Sequence, residues 1–146
     1  MTKFLSVALV FCFAAPSALA DIRLIDKTFS LSWSIHSAPD ERTFDSVELY
    51  FCSELELIWN ELLDKKSMAN GQTTYELTEI EPGILRITWK QSKSDPNRIV
   101  VTTLNLFKWS AYGVIVAEGD AEFTAGAFSF NDGIKLTGVE GTCITN

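Results

Sequence analysis

Residues 28–36, TFSLSWSIH, alternate without a break: Phe29, Leu31, Trp33 and Ile35 fall on one side, and Thr28, Ser30, Ser32, Ser34 and His36 on the other. A period of two marks a strand with one buried face. The pattern returns over residues 43–52, where Val47, Leu49 and Phe51 oppose Glu48, Tyr50 and Cys52. Residues 73–80 and 84–91 read as two strands about the tight turn Glu81-Pro82-Gly83. Residues 98–107, RIVVTTLNLF, are apolar nearly throughout and rich in β-branched side chains, which predicts a central strand. Further strands are expected over residues 111–117, 121–130 and 134–140, the last two separated by Asn131-Asp132-Gly133. Turns are expected at residues 37–42 around Pro39-Asp40, at Asn70-Gly71 and at Asp95-Pro96-Asn97. Strands do not alternate with helices, and no repeat is present. The reading is all-β: eight or nine short strands in an antiparallel meander closed into a barrel.

Residues 53–66, SELELIWNELLDKK, fit two patterns. Ser53 with Glu56 makes a capping box, Leu55, Ile58, Trp59 and Leu62 lie at helical spacing, and Lys65 and Lys66 sit where a helix C-terminus favours cations. A strand is supported by Leu55, Leu57 and Trp59 alternating with Glu54, Glu56 and Ile58.

The N-terminal stretch reads differently from the rest. Lys3 precedes an apolar run from Phe4 to Ala15, Pro16 ends it, and Ala18 and Ala20 supply small residues at the spacing signal peptidase accepts. This is the pattern of a bacterial secretory signal peptide, residues 1–20, cleaved after Ala20. The run is too short to span a bilayer, so no membrane span is expected after cleavage. Residues 21–146 then form one domain in the periplasm or outside the cell. Cys12 leaves with the signal, and Cys52 and Cys143 remain. A pair of cysteines in an exported chain predicts a disulfide. It would close a loop of about 90 residues, for which chain entropy alone gives about 4–5 kcal/mol. Two cysteines and the lone His36 are too few ligands for a zinc site, and no metal or cofactor is expected.

Composition narrows the function. The 146-residue chain is 47% hydrophobic, enough for a buried core. Its 19 acidic residues against 12 basic ones, a net charge of −7, argue against binding duplex nucleic acid, which needs a basic face.

Tyr75-Glu76-Leu77-Thr78-Glu79-Ile80-Glu81-Pro82-Gly83-Ile84-Leu85-Arg86-Ile87-Thr88-Trp89 resembles the central hairpin of the MoaF-like family, small calycin-type barrels related in shape to lipocalins. Val47-Glu48-Leu49-Tyr50-Phe51 with Leu55-Glu56-Leu57-Ile58-Trp59 is similar to the preceding hairpin of that family, and Val100 to Leu106 to its next strand; Lys27-Thr28-Phe29 fits its opening. The resemblance runs from about residue 27 to residue 117. It implies a calycin or lipocalin-like barrel and a strand rather than a helix within residues 53–66. The family name implies molybdenum-cofactor assembly, a cytoplasmic process at odds with an export signal, and a shared fold transfers no function. Phenolic acid decarboxylases share this small barrel, and their chemistry uses a glutamate at the end of a similar hairpin, two tyrosines on the first long strand and an arginine. Here Gln91 stands at the hairpin end, and residues 28–36 hold Trp33 and His36 but no tyrosine. An amide does not titrate, so decarboxylation is not expected.

The remaining candidates are aromatic and cationic. Trp33, Tyr50, Trp59, Tyr75 and Trp89, with Arg86 to clamp a carboxylate, are the candidate lining of a pocket in the barrel mouth. The leading expectation is therefore non-catalytic binding of a small apolar or aromatic molecule. The alternative is a periplasmic protein-interaction module, an inhibitor or accessory subunit, presenting the polar loops 37–42, 64–72 and 92–97. A lyase or isomerase using Arg86 or Glu76 is the third reading. Glu48, Glu54, Glu56 and Glu76 are expected to pair with Arg86 and Lys90 across neighbouring strands.

Overall fold

A computed structural model of the protein describes residues 24–36, 44–92, 97–139 and 143; the side chains of residues 33–36, 44 and 45 lie outside that description. The described elements are β1 (Lys27–His36), β2 (Phe44–Phe51), β3 (Glu56–Leu63), β4 (Lys66–Glu81), β5 (Ile84–Gln91), β6 (Arg98–Asn105), β7 (Ser110–Ala117) and β8 (Asp120–Asp132). Each pairs antiparallel with the next, and β1 pairs with β8, so the sheet closes into an eight-stranded meander barrel of the small calycin-like shape.

Alternation decides what lies inside. Phe29 and Leu31 of β1, Val47, Leu49 and Phe51 of β2, and Leu57 and Trp59 of β3 point inward and are buried. Tyr75 of β4, Leu85, Ile87 and Trp89 of β5, Val100 and Leu104 of β6, Ala111 and Ile115 of β7 and Phe128 of β8 complete this core. A barrel of eight strands is just wide enough to be filled by side chains or to hold one small ligand. Here Trp59, Trp89, Phe29 and Phe51, the largest fully enclosed side chains, occupy the interior.

Residues 53–66 are strand and turn, not helix. β3 pairs with β2 and β4 along its length, and the Ser53 hydroxyl that would have capped a helix accepts the amides of Leu55 and Glu56 to shape the β2–β3 turn. Pairing on both sides satisfies more of the backbone than an isolated helix would, which overrides local propensity. The Asn70-Gly71 turn is not formed. The β3–β4 turn is Asp64-Lys65, both with positive φ (51° and 62°), the arrangement of a type I′ hairpin. Asn70 and Gly71 instead sit within β4, opposite Asn60 and Trp59. Gly71 is needed there because the Trp59 indole lies across it: a Cβ would stand 3.2 Å from the ring.

The expected strand over residues 134–140 is absent from the described residues 134–139, which form an irregular strap across the outside of the barrel. It is bonded to three strands in turn. The Thr28 hydroxyl of β1 donates to the Gly133 carbonyl at 2.7 Å and accepts the Lys135 amide at 3.0 Å. Glu48 of β2 accepts the Thr137 amide at 2.6 Å and the Thr137 hydroxyl at 2.7 Å. Asn60 of β3 donates to Glu48 at 2.8 Å and to the Thr137 carbonyl at 3.0 Å, and accepts the Ser67 hydroxyl of β4 at 2.7 Å. Glu48 and Asn60 face outward yet are buried, because the strap covers them. The disulfide Cys52–Cys143, with Cα atoms 5.7 Å apart, ties the chain beyond the strap to the end of β2.

Candidate functional site

The two ends of the barrel differ. At the end carrying the turns 52–55, 82–83 and 106–109 the interior is stoppered by rings. Phe51 stands edge-on to Phe29 (5.4 Å between centroids) and to Tyr75 (5.0 Å), and Phe29 lies against Phe128 at 5.9 Å. Trp109 continues the row against Phe128 and stacks on Phe130 at 5.4 Å. The tips lock together where the Phe107 ring covers Gly83: a Cβ there would fall 2.4 Å from the ring, and Gly83 has a φ of +76°.

At the opposite end the inner face turns polar. Arg98 of β6 donates to Glu61 of β3 at 2.7 Å, a half-buried ion pair reaching across the interior. Beside it is a cleft of about 190 Å³ lined by Arg98, Ile115, Ala117, Glu118, Asp120 and Glu122. With Arg98 committed to Glu61, the cleft presents three carboxylates over a small apolar floor. Such a lining favours a cation over an apolar molecule. Residues 37–43 and 93–96 lie outside the described residues.

The six residues singled out in the sequence do not meet around one cavity. Trp59 and Trp89 are 1% and 2% exposed and serve as core. The Trp89 Nε1 is buried with no partner among the described residues. Tyr75 also faces inward, and its hydroxyl donates to the Ser53 carbonyl at 3.0 Å. Burial, with the nearby charge of Glu54, raises its pKa above 10.0. Tyr50 is on the outer face, where its hydroxyl donates to Asp26 at 3.0 Å; burial, that hydrogen bond and the Asp26 charge raise its pKa likewise. Arg86 also faces outward and is exposed, opposite Thr78 and Thr103. Trp33 is placed in β1 opposite Asp45 and Gly126, and its side chain lies outside the described residues. Glu76 is outward on β4 and exposed, and it does not line the cleft.

The expected pairing of Glu48 with Arg86 or Lys90 is replaced by its bonds to the strap. The loop expected over residues 64–72 shrinks to the Asp64-Lys65 turn; the expected loop 37–42, and residues 93–96 of the expected loop 92–97, lie outside the described residues.

Sequence reasoning missed the outer wall of β6, β7 and β8. Cross-strand rows there run Ile99–Val116–Ala121, Val101–Val114–Phe123 and Thr103–Tyr112–Ala125. Phe123 is 68% exposed, Tyr112 57%, Ile99 47% and Val116 37%. The available signal was the apolar character of residues 98–107 on both faces. In a barrel one sheet thick, only one of those faces can be core.

No protein-family model matches the chain, and no curated protein matches it. Among solved structures it is similar to a "putative beta-lactamase from Burkholderia vietnamiensis", with a TM-score of 0.58 and 13% identity over 75% of this chain and 96% of that one. At that identity the likeness is one of fold.

Proposed function

We propose that this chain is an exported, disulfide-stapled calycin-type barrel that works as a protein-interaction module, an inhibitor or accessory subunit, rather than as an enzyme. The observation that carries this reading is the inversion of the usual lipocalin-like arrangement. The barrel interior is filled by tryptophan and phenylalanine side chains, while large apolar residues stand exposed on the outside. The largest contiguous apolar patch on a monomeric protein is often a functional one. Export agrees with the bridge between Cys52 and Cys143, which suits an oxidising compartment, and with the signal-like residues 1–20. The MoaF-like resemblance supports the same barrel without adding a chemistry. The lactamase name of the structural neighbour is not carried over, since the sequence has no Ser-x-x-Lys pattern for a serine nucleophile.

A second reading is retained by one feature, the cleft beside Arg98. A small molecule bound in the barrel mouth would sit there, and it would have to tolerate Glu118, Asp120 and Glu122.

Gel filtration of an extract of the cells that make the protein, with the chain detected by antibody, tests the main reading. Elution at a size above that of the purified chain, with a second protein in stoichiometric amount, is expected. Elution at the size of the purified chain throughout overturns it.

A further inference from the structure

The outside of the barrel has two unlike halves. Across β1 to β3 the strap lies over it, and there even the polar groups Thr28, Glu48 and Asn60 are buried. Over β6 to β8 nothing among the described residues covers it, although its rows are more apolar. Three strands about 4.8 Å apart, each offering outward residues about 6.8 Å apart, make a wall of roughly 300 Å². That is the size of the largest patch on an ordinary monomer, and such patches are often functional.

The borders of the wall are asymmetric in charge. On the β5 side the outward residues are Arg86, Thr88 and Lys90, in register with Thr103, Val101 and Ile99. Arg86 and Lys90 are exposed, and neither has an ion-pair partner among the described residues. On the β1 side the register neighbours of Ala125 and Phe123 are Ser34 and His36, whose side chains lie outside the described residues. No aspartate or glutamate faces outward from β5, β6, β7 or β8, in a chain with 19 acidic residues. Of the three acids on these strands, Asp120 and Glu122 line the cleft and Asp132 pairs with Lys27.

Resting on the interaction-module reading, we infer that the β6–β8 wall docks a partner protein through an apolar surface bordered by carboxylates, which meet Arg86 and Lys90. A second copy of the chain fits less well. A stable interface buries about 800 Å² on each side, well beyond the wall, so its border must take part. In a two-fold pair the β5 border would meet either itself, cation against cation, or the β1 border at Ser34 and His36. Neither arrangement supplies a carboxylate. Arg86 and Lys90 then act mainly on encounter and orientation, and the wall on retention.

The test is photocrosslinking of the full chain in the cells that produce it. The photoreactive residue p-benzoylphenylalanine replaces Tyr112, Phe123 or, as a control at the closed end, Phe107. Adducts with one protein from Tyr112 and Phe123 but not from Phe107 are expected, with cross-linked peptides containing Asp or Glu. The double charge reversal Arg86→Glu, Lys90→Glu should lower their yield on the order of tenfold, and so should raising the salt from about 0.05 to 0.5 M in permeabilised cells. The conservative exchange Arg86→Lys, Lys90→Arg should restore most of the yield. Adducts within the chain, with a second copy or with lipid overturn the inference, as do protein adducts indifferent to charge reversal. Protein adducts from Phe107 alone overturn the wall but leave the interaction-module reading standing. No protein adduct from any position overturns both.

Discussion

Replacing Glu48 by glutamine should release the strap without unfolding the barrel. The carboxylate accepts three hydrogen bonds: the Thr137 amide at 2.6 Å, the Thr137 hydroxyl at 2.7 Å and the Asn60 amide at 2.8 Å. Hydrogen bonds to a charged group contribute about 1.5–3 kcal/mol each and neutral ones about 0.5–1.5 kcal/mol. Glutamine can keep its oxygen toward the Thr137 and Asn60 amides, and the Thr137 hydroxyl can turn to accept instead of donate. What disappears is the charge assistance on two N–H bonds, about 1 kcal/mol each, or about 2 kcal/mol in all. At 1.4 kcal/mol per tenfold, hydrogen exchange at the Thr137 amide should quicken about 30-fold. The Val101 amide, on the far wall, should change little, because the disulfide still holds the strap's end near β2. Glu48→Ala, which leaves the Thr137 amide without its acceptor, should have a larger effect. Exchange at Thr137 that stays within about threefold of wild type would refute the clamp, as would equal acceleration at Val101.

The other predictions address the staple, the packing and the pH response. Converting Cys52 and Cys143 to alanine together should cost up to about 4–5 kcal/mol, read as a lower midpoint in urea unfolding, whereas an unchanged midpoint would deny the bridge a role. Gly71→Val should destabilise by more than 1 kcal/mol, because overpacking against the buried Trp59 indole typically costs about 1–3 kcal/mol, and near-ultraviolet circular dichroism should show the indole displaced. Tyr50 and Tyr75 have folded-state pKa values raised above 10.0, so the folded protein holds protons that the unfolded chain would release. Their contribution is fully present below about pH 10 and lost as the pH rises through the folded values. Phenolate absorbance should therefore rise in the folded protein at higher pH than in urea, and Tyr50→Phe with Tyr75→Phe should remove that difference. Asp132, held below its ordinary pKa by Lys27, behaves oppositely: its contribution is present above the ordinary carboxyl range and lost as the pH falls through the depressed value. Acid unfolding of Lys27→Met should depend less steeply on pH than that of wild type.

Period-two alternation made β1, β2 and β5 legible, because one face of each strand is buried and the other is not; β6 was legible from its β-branched apolar run instead. Alternation also placed Trp59 and Trp89 on the side of Leu57 and Ile87, and Tyr50 and Arg86 on the opposite side. The six aromatic and cationic candidates thus never shared a face. What parity cannot report is the volume left inside once Trp59, Trp89, Phe29 and Phe51 are in place. The Asn70-Gly71 signal misled because glycine answers two needs: a positive φ in a turn, or space beneath a neighbouring ring. Here Trp59 used the space, while Asp64-Lys65 took the turn. Residues 134–139 looked like a strand but form a strap, since the barrel already closes through β8 on β1 and leaves them no edge to join. Their outward partners, Glu48, Asn60 and Thr28, lie far away in sequence and carry no local mark. The exposed wall was written in the doubly apolar run of residues 98–107, but that reads as a strand buried on both faces until the sheet is known to be a single layer.

The filled interior is the claim on which the rest depends, and native mass spectrometry of the protein purified from the cells that make it, before and after denaturation, tests it most directly. The mass should be the same in both states, that of the chain lacking the two hydrogen atoms lost to one disulfide, with no small molecule released. A stoichiometric excess mass that disappears on denaturation would contradict it and put the small-molecule reading first.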